Sequence, residues 1–368
     1  MRIYRGIGMM TGTSMDGADL AHCAFWEKDG QWEYELLASE TVPLEESWLA
    51  RLSYLEASDA RTYARTHVYL GHYFGRMIAK FIQDKGLAPE FVATHGQTIF
   101  HQPEKNYTSQ IGDGETIASY LSCPLVTNFR NKDVAVGGQG APLVPFGEAL
   151  LFPKHRLFMN LGGFANLTAL RPGKGPIAFD IAACNLALNW LAAHLDPPLP
   201  YDSGGRIARS GQLNGELLEA LNTLSFYRTP PPKSLGTEWL NAAVLPLINN
   251  DAIPLEDRMH TYVVHLTYQL RRAVEKCGGK DEPILVTGGG VYNKFLMDKL
   301  KQRLSPLGVE VTPVSVEISD NKEAILFAFL GLHVLLGRPN ILSSVTGAPY
   351  DVLGGSIHLP ARGWKPII

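Results

Sequence analysis

The chain has 368 residues, 45% of them hydrophobic and 19% charged, with a net charge of −3 at pH 7. Apolar content on that scale supports a sizeable core and excludes a chain that is disordered throughout, and the length corresponds to two or three domains of roughly 150 residues. No block of like charges advertises a nucleic-acid or anionic-membrane surface.

The N-terminal stretch Met1 to Gly6 runs into Gly8, Gly12 and Asp16 before any apolar segment could act as an export signal, so a cytoplasmic protein is expected. Residues Arg2 to Trp26 read as a hairpin: an apolar lead-in at Ile7 to Met10, a turn over Thr11 to Gly17, and a returning strand over Ala18 to Phe25. Helical spacing follows over Ser47 to Leu55 and Tyr63 to Phe81, then a short buried strand, Phe91 to Thr94, that ends on His95-Gly96-Gln97. The same plan recurs at mid-chain. Arg156 to Leu161 is a strand, Gly162 to Asn166 a turn and Leu167 to Leu170 the returning strand. Helical patterns over Cys184 to Leu195, Asn214 to Leu224 and Pro254 to Cys277 lead to the strand Ile284 to Thr287, which ends on Gly288-Gly289-Gly290. The apolar run Ala324 to Gly337 is too short for the roughly 20 residues that span a bilayer and reads as a buried helix. Two copies of one α/β plan are implied, with no low-complexity linker between them. Cys23, Cys123, Cys184 and Cys277 are far apart and show no metal-ligand spacing, as expected for reduced thiols.

The glycine turns lie at strand ends, where open α/β sheets bind ligands and bare backbone N–H groups can approach phosphate. Gly12-Thr13-Ser14-Met15-Asp16-Gly17 is not a Walker loop, and Gly6 to Thr11 lacks the third glycine of the dinucleotide fingerprint. What the first turn offers is two hydroxyls and one carboxylate, groups suited to phosphate oxygens and a hydrated Mg²⁺; such a turn can equally be only a turn. Gly162-Gly163 carries the same two readings. Gly288 to Gly290 suits an adenine or ribose lying on bare backbone, or a tight strand-to-helix turn with Asn293 as N-cap.

In order along the chain stand Gly8-Met9-Met10-Thr11-Gly12-Thr13-Ser14-Met15-Asp16-Gly17, Thr94-His95-Gly96-Gln97-Thr98, Gln110-Ile111-Gly112-Asp113-Gly114 and Asn128-Phe129-Arg130. Then come Gly137-Gly138-Gln139-Gly140-Ala141-Pro142-Leu143-Val144-Pro145, Asn160-Leu161-Gly162-Gly163 and Val286-Thr287-Gly288-Gly289-Gly290. This ordered set resembles the anhydro-N-acetylmuramic acid kinase family over essentially the whole chain. The resemblance implies a duplicated actin-like (ribonuclease H-like) ATPase fold of α/β class, with two lobes around a nucleotide cleft. The first lobe is expected at 1–155 with 337–368, the second at 156–336. It also implies ATP and Mg²⁺, an amino-sugar substrate from cell-wall turnover and a homodimer. The implied nucleotide site comprises Gly12, Thr13, Ser14, Met15, Asp16, Gly17, Asp19, Gly162, Gly163, Gly288, Gly289, Gly290 and Asn293, with Asp16 a possible contact to the metal.

The family's reaction opens the 1,6-anhydro ring with water while O6 is phosphorylated, and the resemblance places the general base at Asp180, in Ile177-Ala178-Phe179-Asp180. A carboxylate ending a buried strand beside a cleft would have its pKa raised by desolvation; the same position also suits an N-cap for a helix from Ala182. The chain then departs from the family pattern, with Ile181-Ala182-Ala183-Cys184-Asn185 where Thr-Gly-Pro-Gly (or Ala)-Asn is usual, and with Leu235 for Thr in Pro231 to Gly236. Bulkier side chains at Ile181 and Cys184 would reshape the substrate pocket. The expected sugar contacts are His95, Gln97, Arg130 for the lactyl carboxylate, Asp180, and Glu323 opening a helix. His95 is alternatively a structural hydrogen-bonding residue, Arg130 a surface ion-pair residue, and Glu323 a first-turn acid. A different sugar kinase, or a nucleotide-binding sensor without a phosphate acceptor, remains compatible with these loops.

Overall fold

The computed structural model describes residues 1–12, 17–171, 173, 175–231, 233–312 and 314–362. The chain divides into two compact units, Met1–Pro153 with Asp320–Ile368, and Lys154–Ser319.

The first unit is built on β1 (Ile3–Thr11), β2 (Ala18–Lys28) and β3 (Gln31–Val42), an antiparallel meander, followed by β4 (Phe91–Thr94). A two-stranded ribbon of β5 (Gln97–Gln102) and β6 (Tyr107–Ile111) leads to β7 (Leu125–Thr127). β4 lies parallel to β1 and β7 parallel to β4, and the strand Ser356–His358 closes the edge. Side-chain alternation sorts the two faces. Ile7, Met9 and Leu20 face the helix Ala60–Asp84, while Ala21, Cys23 and Phe25 face the helix Val316–Leu335. The helix Ala60–Asp84 starts where Asp59 accepts hydrogen bonds from the N–H groups of Arg61 and Thr62. It buries Leu70, Phe74, Ile78 and Phe81 along one stripe, so truncating the fully buried Phe74 to Ala would cost about 3–5 kcal/mol.

The second unit repeats the plan. Its strands are β8 (Leu157–Leu161), β9 (Phe164–Arg171), β10 (Gly175–Ala183), β11 (Pro283–Thr287) and β12 (Glu310–Thr312). β8, β9 and β10 form an antiparallel meander, and β11 and β12 extend the sheet in parallel from β8. In both sheets the first strand of the meander therefore lies between the second strand and a parallel fourth. The duplicated α/β plan read from the sequence is present in the strand order itself. The helix Leu255–Lys276 buries Met259, Tyr262, Val263, Leu266, Leu270 and Val274 against this sheet.

Three local expectations are corrected. The second hairpin is tighter than a five-residue turn, because Asn160 pairs with Asn166 and Leu161 with Ala165, leaving Gly162 and Gly163 between the strands. β10 runs on through Asp180 to Ala183 with a bulge after Asp180, so Asp180 neither ends the strand nor caps a helix; Cys184 precedes the helix Asn185–Ala192. The second unit ends at Ser319, not at 336. The helix Val316–Leu335 packs Ala324, Phe327, Phe329 and Leu330 with Phe25, Phe91 and Phe129 of the first unit. Its seat on β1 is Gly8, where any Cβ would come within 1.8 Å of the Ala324 carbonyl oxygen. Gly8 thus serves close helix–sheet packing.

Among the described residues no helix is long and apolar enough to cross a membrane. Cys23, Cys123 and Cys184 are buried free thiols and Cys277 is half-buried.

Candidate active site

In the first unit, the ends of β1 and β4 meet where Thr11 Oγ1 donates to the Gly96 carbonyl at 2.9 Å. His95 is buried there. Its Nδ1 lies 2.8 Å from the Gly96 carbonyl, which can only accept, so Nδ1 carries the proton and Nε2 accepts from Arg130 Nε at 2.9 Å. Burial and the Arg130 guanidinium hold its pKa well below the ordinary histidine value, in keeping with this neutral tautomer. Both ring nitrogens are therefore committed within the protein, and His95 orients Arg130.

Arg130 also donates from Nη1 to the Gly140 carbonyl at 2.7 Å, and among the described residues nothing takes its Nη2, which suits an incoming acceptor. Burial pushes its pKa down to about 10, against the pull of the Glu323 carboxylate. Glu323 lies well inside the helix Val316–Leu335, not at its start, so the helix dipole does not account for it. Burial raises its pKa, with Lys322 and Arg130 opposing and Asp19 and Glu148 adding to the rise. Beside it the Lys322 ammonium meets Glu148 at 2.8 Å in a buried ion pair. Gln97, at the start of β5, keeps a buried Oε1 with no hydrogen-bond partner among the described residues. Such an orphan costs about 1–3 kcal/mol until a donor reaches it. The structure thus assembles His95, Gln97, Arg130, Glu323 and Asp19 into one polar region of the first unit. Asp19 also accepts from the Thr41 hydroxyl at 2.6 Å. Gly12 and Gly17 flank the expected phosphate turn, whose Thr13, Ser14, Met15 and Asp16 lie outside the described residues.

In the second unit, Asn185 Nδ2 donates to the Leu161 carbonyl at 2.9 Å, and its backbone N–H donates to that of Gly162, tying the helix Asn185–Ala192 to the Gly162-Gly163 turn. The departure just before Asn185 is absorbed by packing: Ile181 and Cys184 are buried in the core of this unit. Gly288 has φ +87°, and a Cβ there would lie 2.4 Å from Asn160 Oδ1, so the turn after β11 requires glycine. Asn293 caps the following helix Lys294–Leu304, its Oδ1 accepting from the Leu296 N–H at 3.0 Å.

Asp180 is half-buried on β10. Its N–H donates to the Lys233 carbonyl at 3.0 Å, and its Oδ2 accepts from the Leu235 N–H at 2.8 Å. Oδ1 makes no hydrogen bond among the described residues. Burial raises the Asp180 pKa, with the Leu235 hydrogen bond and the Lys233 charge opposing. Only the backbone of residue 235 makes this contact, so Leu in place of Thr preserves it. Lys233, Lys322 and Glu148 went unnoticed in the sequence; for Lys233 the available signal was the short Pro-Pro-Lys-Ser block that carries it.

A half-buried carboxylate with one oxygen anchored and one free is suited to accepting a proton from water. The guanidinium in the first unit is suited to binding a carboxylate, with donors to spare.

The family model described as anhydro-N-acetylmuramic acid kinase matches residues 4–360. The anhydro-N-acetylmuramic acid kinase of Photobacterium profundum is 32% identical over 380 residues, covering 97% of this chain and 99% of that protein. That of Aliivibrio fischeri is 33% identical over 363 residues, covering 95% and 97%. Among solved structures, the activator of the 2-hydroxyisocaproyl-CoA dehydratase from Clostridium difficile aligns with a TM-score of 0.43 at 14% identity, covering 88% of this chain and 94% of that one. The ROK hexokinase from Thermus thermophilus aligns with a TM-score of 0.36 at 13% identity, covering 89% and 99%. At these scores the structural likenesses carry nothing about the site.

Proposed function

The chain belongs to the anhydro-N-acetylmuramic acid kinase family, and from that premise we propose how its residues divide the reaction. The enzyme is an ATP-dependent phosphotransferase that phosphorylates 1,6-anhydro-N-acetylmuramic acid in cell-wall recycling. Water attacks C1, the C1–O6 bond breaks, and O6 takes the γ-phosphoryl group of ATP, giving N-acetylmuramic acid 6-phosphate and ADP. Asp180 is the general base: its free Oδ1 takes the proton from the attacking water while the Leu235 N–H fixes Oδ2. That half-anchored, desolvated carboxylate is the observation that carries the assignment.

Arg130, held by His95 and the Gly140 carbonyl, is assigned to the lactyl carboxylate through Nη2. Gln97 Oε1 and Glu323 accept from sugar hydroxyls. Backbone at Gly12, Gly17, Gly162 and Gly163 is assigned to ATP phosphates, and the turn Gly288 to Gly290 to adenosine. Mg²⁺ takes few protein ligands when bound with a nucleotide. Asp19 fits it as a described carboxylate, since its charge already bears on Glu323; Asp16 is the candidate beyond the described residues. When bound, the metal neutralises charge on the transferring phosphoryl group. A cytoplasmic location fits ATP use and free thiols. A homodimer is the expected assembly; a single-chain mass in sedimentation at micromolar concentration would contradict it.

The test of this reading is phosphate transfer measured with the anhydro sugar, with an ordinary hexose and with no acceptor. Turnover on the anhydro sugar alone is expected. Equal turnover on the hexose, or ATP consumption independent of any acceptor, would overturn it.

A further inference from the structure

On β10, Phe179 and Ile181 flank Asp180 and line a small pocket of about 20 Å³, bounded also by Thr229, Pro231 and Lys233 and by the last turns of the helix Leu255–Lys276. Lys233, Arg272 and Lys276 line the pocket together with Thr229, and among the described residues its lining contains no carboxylate. The neighbouring acid on the helix, Glu275, is turned to Arg271 at 2.9 Å. Lys233 Nζ is fixed by donating to the Phe226 carbonyl at 3.0 Å and by lying 4.0 Å from the centre of that ring. Burial, then the charges of Lys276 and Arg272, push the Lys233 pKa down to about 8, and the Asp180 carboxylate only partly offsets them. Three cations line the pocket with only the Asp180 carboxylate close enough to offset Lys233 in part, an imbalance that an anion relieves.

We propose that this pocket binds a phosphate group, as orthophosphate or as a phosphate monoester, between Lys233, Arg272 and Lys276. The segment that carries Lys233 also holds Asp180, through the Lys233 carbonyl and the Leu235 N–H. An occupied pocket therefore steadies the carboxylate. This coupling rests on Asp180 being the base, whereas phosphate binding does not.

Calorimetry at constant ionic strength, with the nucleotide site filled by saturating ADP, tests the site. Orthophosphate and a hexose 6-phosphate are titrated into the parent, Lys276→Gln and Arg272→Gln/Lys276→Gln. One-to-one binding of at least one probe, weakened tenfold or more in the double variant and less in the single one, is expected; the tighter probe identifies the source. No saturable binding, or equal affinity in parent and double variant, would overturn the proposal. A kcat that rises with the bound probe in the parent but not in the double variant supports the coupling. Binding without any change in kcat removes the coupling and leaves the site, independently of the assigned reaction.

Discussion

Asp180 can act as a base only while ionised and only through an oxygen that the fold does not already use. Asp180→Asn keeps an oxygen to accept the Leu235 N–H but cannot take a proton, so the fold and ATP affinity should persist while kcat falls ~10²-fold or more. Calorimetry beside steady-state kinetics checks both halves of this prediction. Because burial raises the Asp180 pKa, activity is present above that value and lost as pH falls through it. The acid limb of kcat/KM should therefore lie above the ordinary aspartate value of 3.8, and Lys233→Met, which removes an opposing charge, should move the limb higher still. A limb at or below 3.8, or one that moves down in Lys233→Met, would contradict the assignment. Asp180 stands out as a candidate in the sequence through the apolar strand before it and the family resemblance. Its anchoring was not, because its partner is a backbone N–H in a segment 55 residues away. His95 shows the same limit: only its contact with Arg130, 35 residues on, reveals that both of its nitrogens are already committed.

At the scale of elements, the turn after β11 separates fold from function glycine by glycine. A Cβ at Gly288 or Gly290 would collide with Asn160 or Leu161, whereas at Gly289 the nearest atom is Asn185 Nδ2 at 3.4 Å. Gly289→Val should therefore leave the melting temperature within a few degrees of the parent and weaken ATP binding at least tenfold. Unchanged ATP affinity in calorimetry would remove this turn from the adenosine site. The two hairpins and the buried strands Phe91–Thr94 and Ile284 to Thr287 were legible because buried strands announce themselves by runs and alternation of apolar residues. β3 escaped notice because it lies at the sheet edge and, apart from buried Trp32, alternates exposed and half-buried residues that include Glu33, Glu35 and Glu40. The helix Val316–Leu335 was legible as buried. Its membership of the first unit was not, since an all-round apolar helix does not reveal which sheet it will cover.

The molecule as a whole buries His22, His95, His265 and His333, all with pKa values lowered by burial, to about 3 for His265 and about 4 for His333. Unfolded, each titrates near 6.5, so below that pH the unfolded chain binds more protons and stability falls as pH drops toward the folded values. Each such histidine contributes up to about 1.4 kcal/mol per pH unit, while Asp180 and Glu323, with raised pKa values, act in the opposite sense. Four histidines against two carboxylates predict that the melting temperature drops between pH 7 and pH 5. Scanning calorimetry showing a flat or rising melting temperature would contradict this. The chemistry of the whole enzyme is tested most directly by turnover of 1,6-anhydro-N-acetylmuramic acid with Mg-ATP in ¹⁸O-water, read by mass spectrometry within the first turnovers, before anomeric exchange. One ¹⁸O at C1 and none in the transferred phosphate is predicted for the parent, with no labelled sugar phosphate from Asp180→Asn over the same interval. Label in the phosphate, or labelled product from the variant at the parent's rate, would contradict the account.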